Sequence, residues 1–188
     1  MNEFEFNCLV KNIERVINDK GRCILAIEGQ PCSGKTTLAE KLSKKIESNV
    51  IHIDDFYLKK GMKNNLLESN DGNIDFDRLK REVIDKLNDE EFEYGIFSCK
   101  EQKIVSRNKI SSKPLIIVEG SYSTNPLLGN YFDYAIYLDI DDEILMKRLK
   151  GRMNIDYDNF IKVWVFLEKK YCNFYEIKKR VNKVINNN

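Results

Sequence analysis

The run Gly29-Gln30-Pro31-Cys32-Ser33-Gly34-Lys35-Thr36 satisfies the spacing G-x-x-x-x-G-K-[ST] at every fixed position. Such a run does phosphate chemistry for a physical reason. Glycines let successive backbone N–H groups turn toward one point, and the unpaired amides at the start of a following helix add partial positive charge there. Lys35 brings a full charge within reach of the β- and γ-phosphates of a nucleotide, and the Thr36 hydroxyl is placed to ligate Mg2+. Gly29 through Thr37 are therefore the candidate nucleotide-binding residues, with Lys35 also catalytic and Thr36 a metal ligand.

Carboxylates that could complete such a site follow at two places. His52-Ile53-Asp54-Asp55-Phe56-Tyr57 carries an adjacent pair, and adjacent side chains on a strand point opposite ways, so one of Asp54 and Asp55 is expected to face the site. A purely structural loop pair is the plain alternative. Glu119, followed by Gly120, closes the apolar run LIIVE, where an acidic residue can hold Mg2+ directly or through water. Arg148 and Arg152 stand four apart around Gly151 and can share a helix face, either over the phosphates or as solvated helix-end cations. His52, the only histidine, reads as a packed strand residue.

These residues need elements that converge on one edge. RCILAIE at 22–28 reads as a buried parallel strand, and Leu38, Leu42 and Ile46 form the apolar stripe of a helix from Lys35. A second strand at 50–53, a helix at 76–87, minor strands within 95–106, and strands at 115–119 and 134–140 follow. Asp141 is placed to cap a helix through Lys150. A further helix over 157–172 carries Phe160, Trp164, Leu167 and Tyr171 as core, and 181–185 reads as a last strand before an Asn-Asn-Asn tail expected to fray. Strands alternating with helices predict an α/β three-layer domain around a mainly parallel sheet, 1–188 as one unit, with ligands at the carboxyl ends of the strands.

Composition narrows the class. Thirty-one basic residues against 30 acidic ones, net charge +1, leave no field that would gather nucleic acid or an anionic membrane. Five cysteines at irregular separations, without a C-x-x-C pair, read as reduced thiols of a cytoplasmic protein. No apolar run approaches the roughly 20 residues of a membrane span. Nor is there a D-x-x-G or N-K-x-D element to make a GTP-dependent switch.

At Asp54-Asp55-Phe56-Tyr57 the chain resembles the uridine kinase family of P-loop kinases, whose second strand ends in Asp-x-Phe-Tyr. The similarity is greatest to a bacterial uridine-kinase-like branch and continues through Asn73-Ile74-Asp75-Phe76-Asp77, Val118-Glu119-Gly120-Ser121-Tyr122-Ser123 and Trp164-x-x-Leu167-Glu168-x-x-Tyr171. It implies a three-layer α/β/α P-loop NTPase fold and transfer of the ATP γ-phosphoryl group to a small-molecule hydroxyl, with Mg2+. The favoured acceptor is uridine or cytidine. It also implies Asp54 as the base, Glu119 as metal ligand and Arg148 and Arg152 as lid arginines. Tyr57, Asp75, Arg107 and Tyr122, in or beside the matched segments, become substrate-binding candidates. Asp55 departs from the small polar residue of well-studied uridine kinases. A kinase for a vitamin or sugar acid, and a non-catalytic nucleotide-binding regulator, are the alternatives.

Overall fold

The computed structural model describes residues 1–62, 68–151 and 160–188. Its strands are β1 (Cys23–Gly29), β2 (Ser48–His52), β3 (Glu91–Ser98), β4 (Lys103–Ser111), β5 (Leu115–Glu119), β6 (Tyr134–Asp139) and β7 (Lys183–Asn186). Five of them form a sheet in the order β2-β5-β1-β6-β7, every pair parallel, while β3 and β4 make a separate antiparallel hairpin. The helices are α1 (Glu3–Lys20), α2 (Lys35–Ser43), α3 (Phe76–Glu82), α4 (Asp142–Lys150), α5 (Phe166–Phe174) and α6 (Ile177–Arg180). Among the described residues no helix is long and apolar enough to cross a membrane, and no disulfide links the cysteines.

The continuous apolar strands follow from burial on both faces, with successive residues sent to opposite sides. Cys23, Leu25 and Ile27 of β1 and Leu115 and Ile117 of β5 pack under Phe6, Leu9 and Ile13 of α1 and Leu38 and Leu42 of α2. Ile24, Ile116, Val118 and Tyr137 face the other way, onto Leu79 of α3, Tyr94 of the hairpin and Tyr171 of α5. The same alternation sends Glu119 toward α2 and Glu28 toward α5, which decides what each carboxyl can touch.

Several expectations are corrected. The second strand stops at His52, and Ile53–Phe56 form a 3-10 turn whose Asp55 carbonyl accepts from buried Arg78. The helix expected over 76–87 breaks at Val83 (φ −126°), leaving a short 3-10 turn at Ile84–Lys86. The minor strands within 95–106 are one hairpin running from Glu91 to Ser111, its alternation masked by the charged residues of its exposed face. Asp141 precedes α4 but makes no cap bond, because its carboxylate accepts from Asn188 Nδ2 at 2.8 Å. Nor does the Asn tail fray. Asn187 N extends the β7 ladder to the Asp139 carbonyl at 2.8 Å, and its Nδ2 donates to the Ser33 carbonyl at 2.7 Å. The first part of the helix expected over 157–172 lies outside the described residues; at 160–165 the chain is a π-helical turn leading into α5.

Glu28 ties the two halves of this frame. Its carboxyl, buried beneath α5, accepts from the backbone amides of Gly29 (3.1 Å), Tyr122 (3.0 Å) and Thr124 (3.1 Å), and from the hydroxyls of Thr124 and Tyr171, both at 3.1 Å. Burial pushes its pKa up, against the pull of these donors. Glu28→Ala would strip the acceptor from several buried donors at about 1–3 kcal/mol each. We expect a loss of stability of roughly 3–5 kcal/mol, read as a drop in the urea midpoint; an unchanged midpoint would show that the segment after β5 is held by other contacts.

Candidate nucleotide and acceptor site

Gly29 ends β1 with φ +151°, and a Cβ there would lie 2.4 Å from the Leu138 carbonyl oxygen. Gly34, at φ +94°, opens α2, whose first amides point into the loop. Side chains at either position would clash or strain the chain, so the motif's fixed glycines have a local cause. Gln30 anchors the loop sideways, its Oε1 accepting from Ile140 N at 3.0 Å. Lys35 Nζ lies across the mouth and donates to the carbonyls of Gly29 (2.8 Å) and Gln30 (2.9 Å) and to Ser121 Oγ (3.3 Å). Arg148 is no solvated helix-end cation: its Nη1 donates to the Cys32 carbonyl at 3.0 Å and its Nη2 to the Asn187 carbonyl at 2.9 Å. Arg152 lies outside the described residues.

Opposite the loop, strand register assembles an oxygen-rich corner. His52 of β2 stands beside Glu119 of β5, which stands beside Ile27 of β1. Glu119 Oε1 accepts from Thr36 Oγ1 at 3.1 Å and meets His52 Nδ1 at 2.5 Å. That bond to Glu119 holds the imidazole pKa above its usual range, with burial opposing. A hydroxyl and a carboxylate side by side are hard oxygen donors of the kind Mg2+ takes, one or two from protein and the rest from phosphates and water. The donor set therefore fits the ion, with Thr36 and Glu119 to hold it.

The carboxylate expected on the acceptor side, Asp54, is in the 3-10 turn. Asp54 faces the cleft, where Tyr57 OH donates to its Oδ1 at 2.9 Å. Asp55 points away and accepts from Tyr94 OH at 3.1 Å; burial pushes its pKa up, with the Tyr94 bond opposing. The two diverge because successive residues of a 3-10 turn are about 120° apart, not because of strand alternation. Tyr57, Phe160 and Glu168 line the same cleft of about 360 Å3 as Lys35, Thr36, Thr37, Asp54, Glu119 and Arg148. Trp164 meets Tyr57 edge-on, ring centroids 6.3 Å apart. Of the four aromatic and aliphatic residues expected as core on this segment, Leu167 and Tyr171 are buried, whereas Phe160 borders the cleft.

Three substrate candidates are not brought to the described cleft. Asp75 caps α3, accepting from Arg78 N at 3.0 Å. Arg107 is exposed on β4 of the hairpin. Tyr122 is buried against Tyr171, with centroids 4.5 Å apart. Glu168 is the residue that sequence reasoning did not single out, although it stood within the Trp164-to-Tyr171 motif. Its Oε2 is shut off from solvent and has no hydrogen-bond partner among the described residues. Burial pushes its pKa up to about 7, Lys35 and Ser121 opposing and Glu28 and Asp54 adding to the rise.

A family model described as an AAA domain matches residues 25–176, and the chain belongs to that family. No curated protein matches it. Among solved structures it is similar to a possible uridine kinase from Bacillus stearothermophilus, with 23% identity, 96% of each chain covered and a TM-score of 0.74. A candidate fructose transport system kinase from Silicibacter sp. TM1040 matches at 20% identity over 94% of this chain and 98% of that one, TM-score 0.61. D-glycerate 3-kinase from Cryptococcus neoformans matches at 13% identity over 89% and 87%, TM-score 0.63. The fold is that of the P-loop NTPases, a nucleotide-binding fold.

The raised pKa of Glu168 has a signed consequence. The folded protein binds a proton there up to about pH 7, whereas the unfolded chain releases it near pH 4.3. The resulting stability is complete below the unfolded value and is lost as pH rises through the folded one. Wild type minus Glu168→Gln stability, measured by urea denaturation, should therefore fall by up to about 3 kcal/mol across that interval and level off above it. Parallel curves would mean that Glu168 is solvated.

Proposed function

We propose that this chain is an ATP- and Mg2+-dependent kinase that moves the γ-phosphoryl group to a hydroxyl of a small molecule. The observation that carries the reading is a carboxylate, Asp54, opening on the same cleft as the phosphate loop while its neighbour Asp55 is tied to Tyr94. A protein that only bound nucleotide would need the loop but no such carboxylate.

The phosphates seat on the loop amides, and Lys35 exchanges its two carbonyl partners for the β- and γ-phosphate oxygens. Thr36 and Glu119 would hold Mg2+, which would supply charge neutralisation to those oxygens when bound. Asp54 accepts a hydrogen bond from the acceptor hydroxyl, aligns it for in-line attack and takes its proton as the new O–P bond forms and the bond to ADP breaks. Arg148, at the flank of the loop, stabilises charge on the transferred group, and the resemblance gives Arg152 the same task. The motif order around Asp54 favours a nucleoside, uridine or cytidine, as acceptor; the similarity to a possible uridine kinase is one of fold.

Two substitutions test this reading separately. Lys35→Ala should cost at least about 100-fold in phosphoryl transfer, measured by steady-state kinetics on folded protein; activity within threefold of wild type would mean the loop is misread. Asp54→Asn should leave nucleotide affinity nearly unchanged in a titration yet slow single-turnover transfer by roughly 100- to 10,000-fold, with Asp55→Asn far milder. Reversal of the two aspartates' effects would contradict the assignment.

A further inference from the structure

Asp54 is an exposed side chain on a short turn, and an exposed aspartate left to itself samples several rotamers. A carboxylate that must align a hydroxyl for in-line attack has to be held to within about 0.5 Å. A holder stands three residues along the chain. Ile53–Phe56 form the 3-10 turn, and such a turn has three residues per revolution, so that positions i and i+3 eclipse. The spacing Asp54-x-x-Tyr57 therefore brings a phenol and a carboxylate to one side, and Tyr57 OH donates to Asp54 Oδ1 at 2.9 Å.

Tyr57 is itself fixed at backbone and ring. Its backbone pairs with Ile74 in an isolated antiparallel bridge, flanked by bonds from Leu58 N to the Asn73 carbonyl at 3.0 Å and from Asp75 N to the Phe56 carbonyl at 2.7 Å. The ring packs against the core cluster that includes Phe56 and Ile74, and meets Trp164 edge-on. Burial, and after it the charge of Asp54, pushes the phenol pKa well above its usual value, so the hydroxyl stays a donor at any working pH. The bond takes one of about four lone-pair sites on the carboxylate, which leaves capacity for an acceptor hydroxyl on the same group.

Building on the kinase reading above, we infer that Tyr57 is a positioning residue: its hydroxyl holds the Asp54 carboxylate in the orientation that receives the acceptor's proton, and it speeds transfer through Asp54 instead of binding the acceptor. The sequence makes Tyr57 a substrate-binding candidate, but the single proton of its hydroxyl is spent on Asp54.

The test pairs turnover with a titration. Tyr57→Phe removes one oxygen and keeps the ring that packs against Trp164, and thermal melts check that each variant is folded. Wild type is first assayed for transfer from ATP to uridine, cytidine, D-ribose and D-glycerate, and the compound phosphorylated fastest is used with Tyr57→Phe, Asp54→Asn and the double variant. Tyr57→Phe should slow single-turnover transfer by about 5- to 50-fold, with the acceptor KM and the nucleotide affinity within about twofold of wild type. Added to Asp54→Asn, it should cost less than about threefold more. A raised acceptor KM at unchanged kcat, or losses that multiply in the double variant, overturns the inference, since Tyr57 would then act on the acceptor or on the fold and not through Asp54.

The titration needs no acceptor. Carboxyls of 13C-labelled aspartate are followed by NMR against pH, the Asp54 signal being the one absent from Asp54→Asn. Lys35 and Glu168 share the cleft with Asp54, and its charge acts on His52, Asp55 and Cys99. These groups are common to wild type and Tyr57→Phe, so a difference between the two reports the hydroxyl. A donor to the charged form lowers a carboxyl pKa, so the Asp54 midpoint should rise by about 0.5–1 pH unit in Tyr57→Phe. An unmoved midpoint overturns the inference. A midpoint that moves, with no transfer by wild type to any of the four compounds, overturns the kinase reading and leaves Tyr57 as the holder of Asp54.

Discussion

The site depends on a register. Three parallel strands place His52, Glu119 and Ile27 side by side at the carboxyl edge of the sheet, and the loop leaves β1 two residues later. A slip of one residue in β5 would turn Glu119 from α2 to the α5 face and exchange it with Val118, because strand side chains have a period of two. The register is held by apolar alternation on both faces, so the residues that place Glu119, the candidate metal ligand, are the leucines and isoleucines of the core. Chemistry at the edge is set by packing in the middle.

The same alternation keeps two carboxyls of opposite use apart. Glu119 faces α2, is partly reachable from the cleft and keeps capacity to bind a cation. Glu28 faces α5 and is saturated by backbone amides and hydroxyls, which binds the segment after β5 to the base of the phosphate loop. With Ser121 of that segment 3.3 Å from Lys35 Nζ, the position of the loop lysine is linked to the buried cluster around Glu28. At the other side of the loop, Asn187 and Arg148 hold the Ser33 and Cys32 carbonyls outward. Backbone amides can then point inward, toward a phosphate.

The parallel sheet, the loop and the place of Glu119 were legible in the sequence because each is signalled locally: buried strands by unbroken apolar runs, the loop by fixed spacing, the carboxylate by its place at a strand end. The divergence of Asp54 and Asp55 was expected for the wrong reason, since the pair lies in a 3-10 turn, whose Asp55 carbonyl accepts from Arg78, 23 residues away. Asp75 looked like a binding residue and is a helix cap, a role an Asp before a helix also signals. Glu168, His52 and the Asn tail were hidden because what distinguishes them is their partners: a histidine, a glutamate and an asparagine acquire their environment only when distant strands and helices meet.

The proposed function asks the loop, the Thr36–Glu119 corner and Asp54 to move one phosphoryl group between two oxygens. The most direct measurement is the fate of the γ-phosphorus of ATP, followed by 31P NMR with Mg2+ and a panel of hydroxylated small molecules. The account predicts a new phosphate monoester formed in equal amount with ADP. Release of the γ-phosphorus only as inorganic phosphate, or nucleotide binding with no turnover in the presence of every hydroxylated compound, would contradict it.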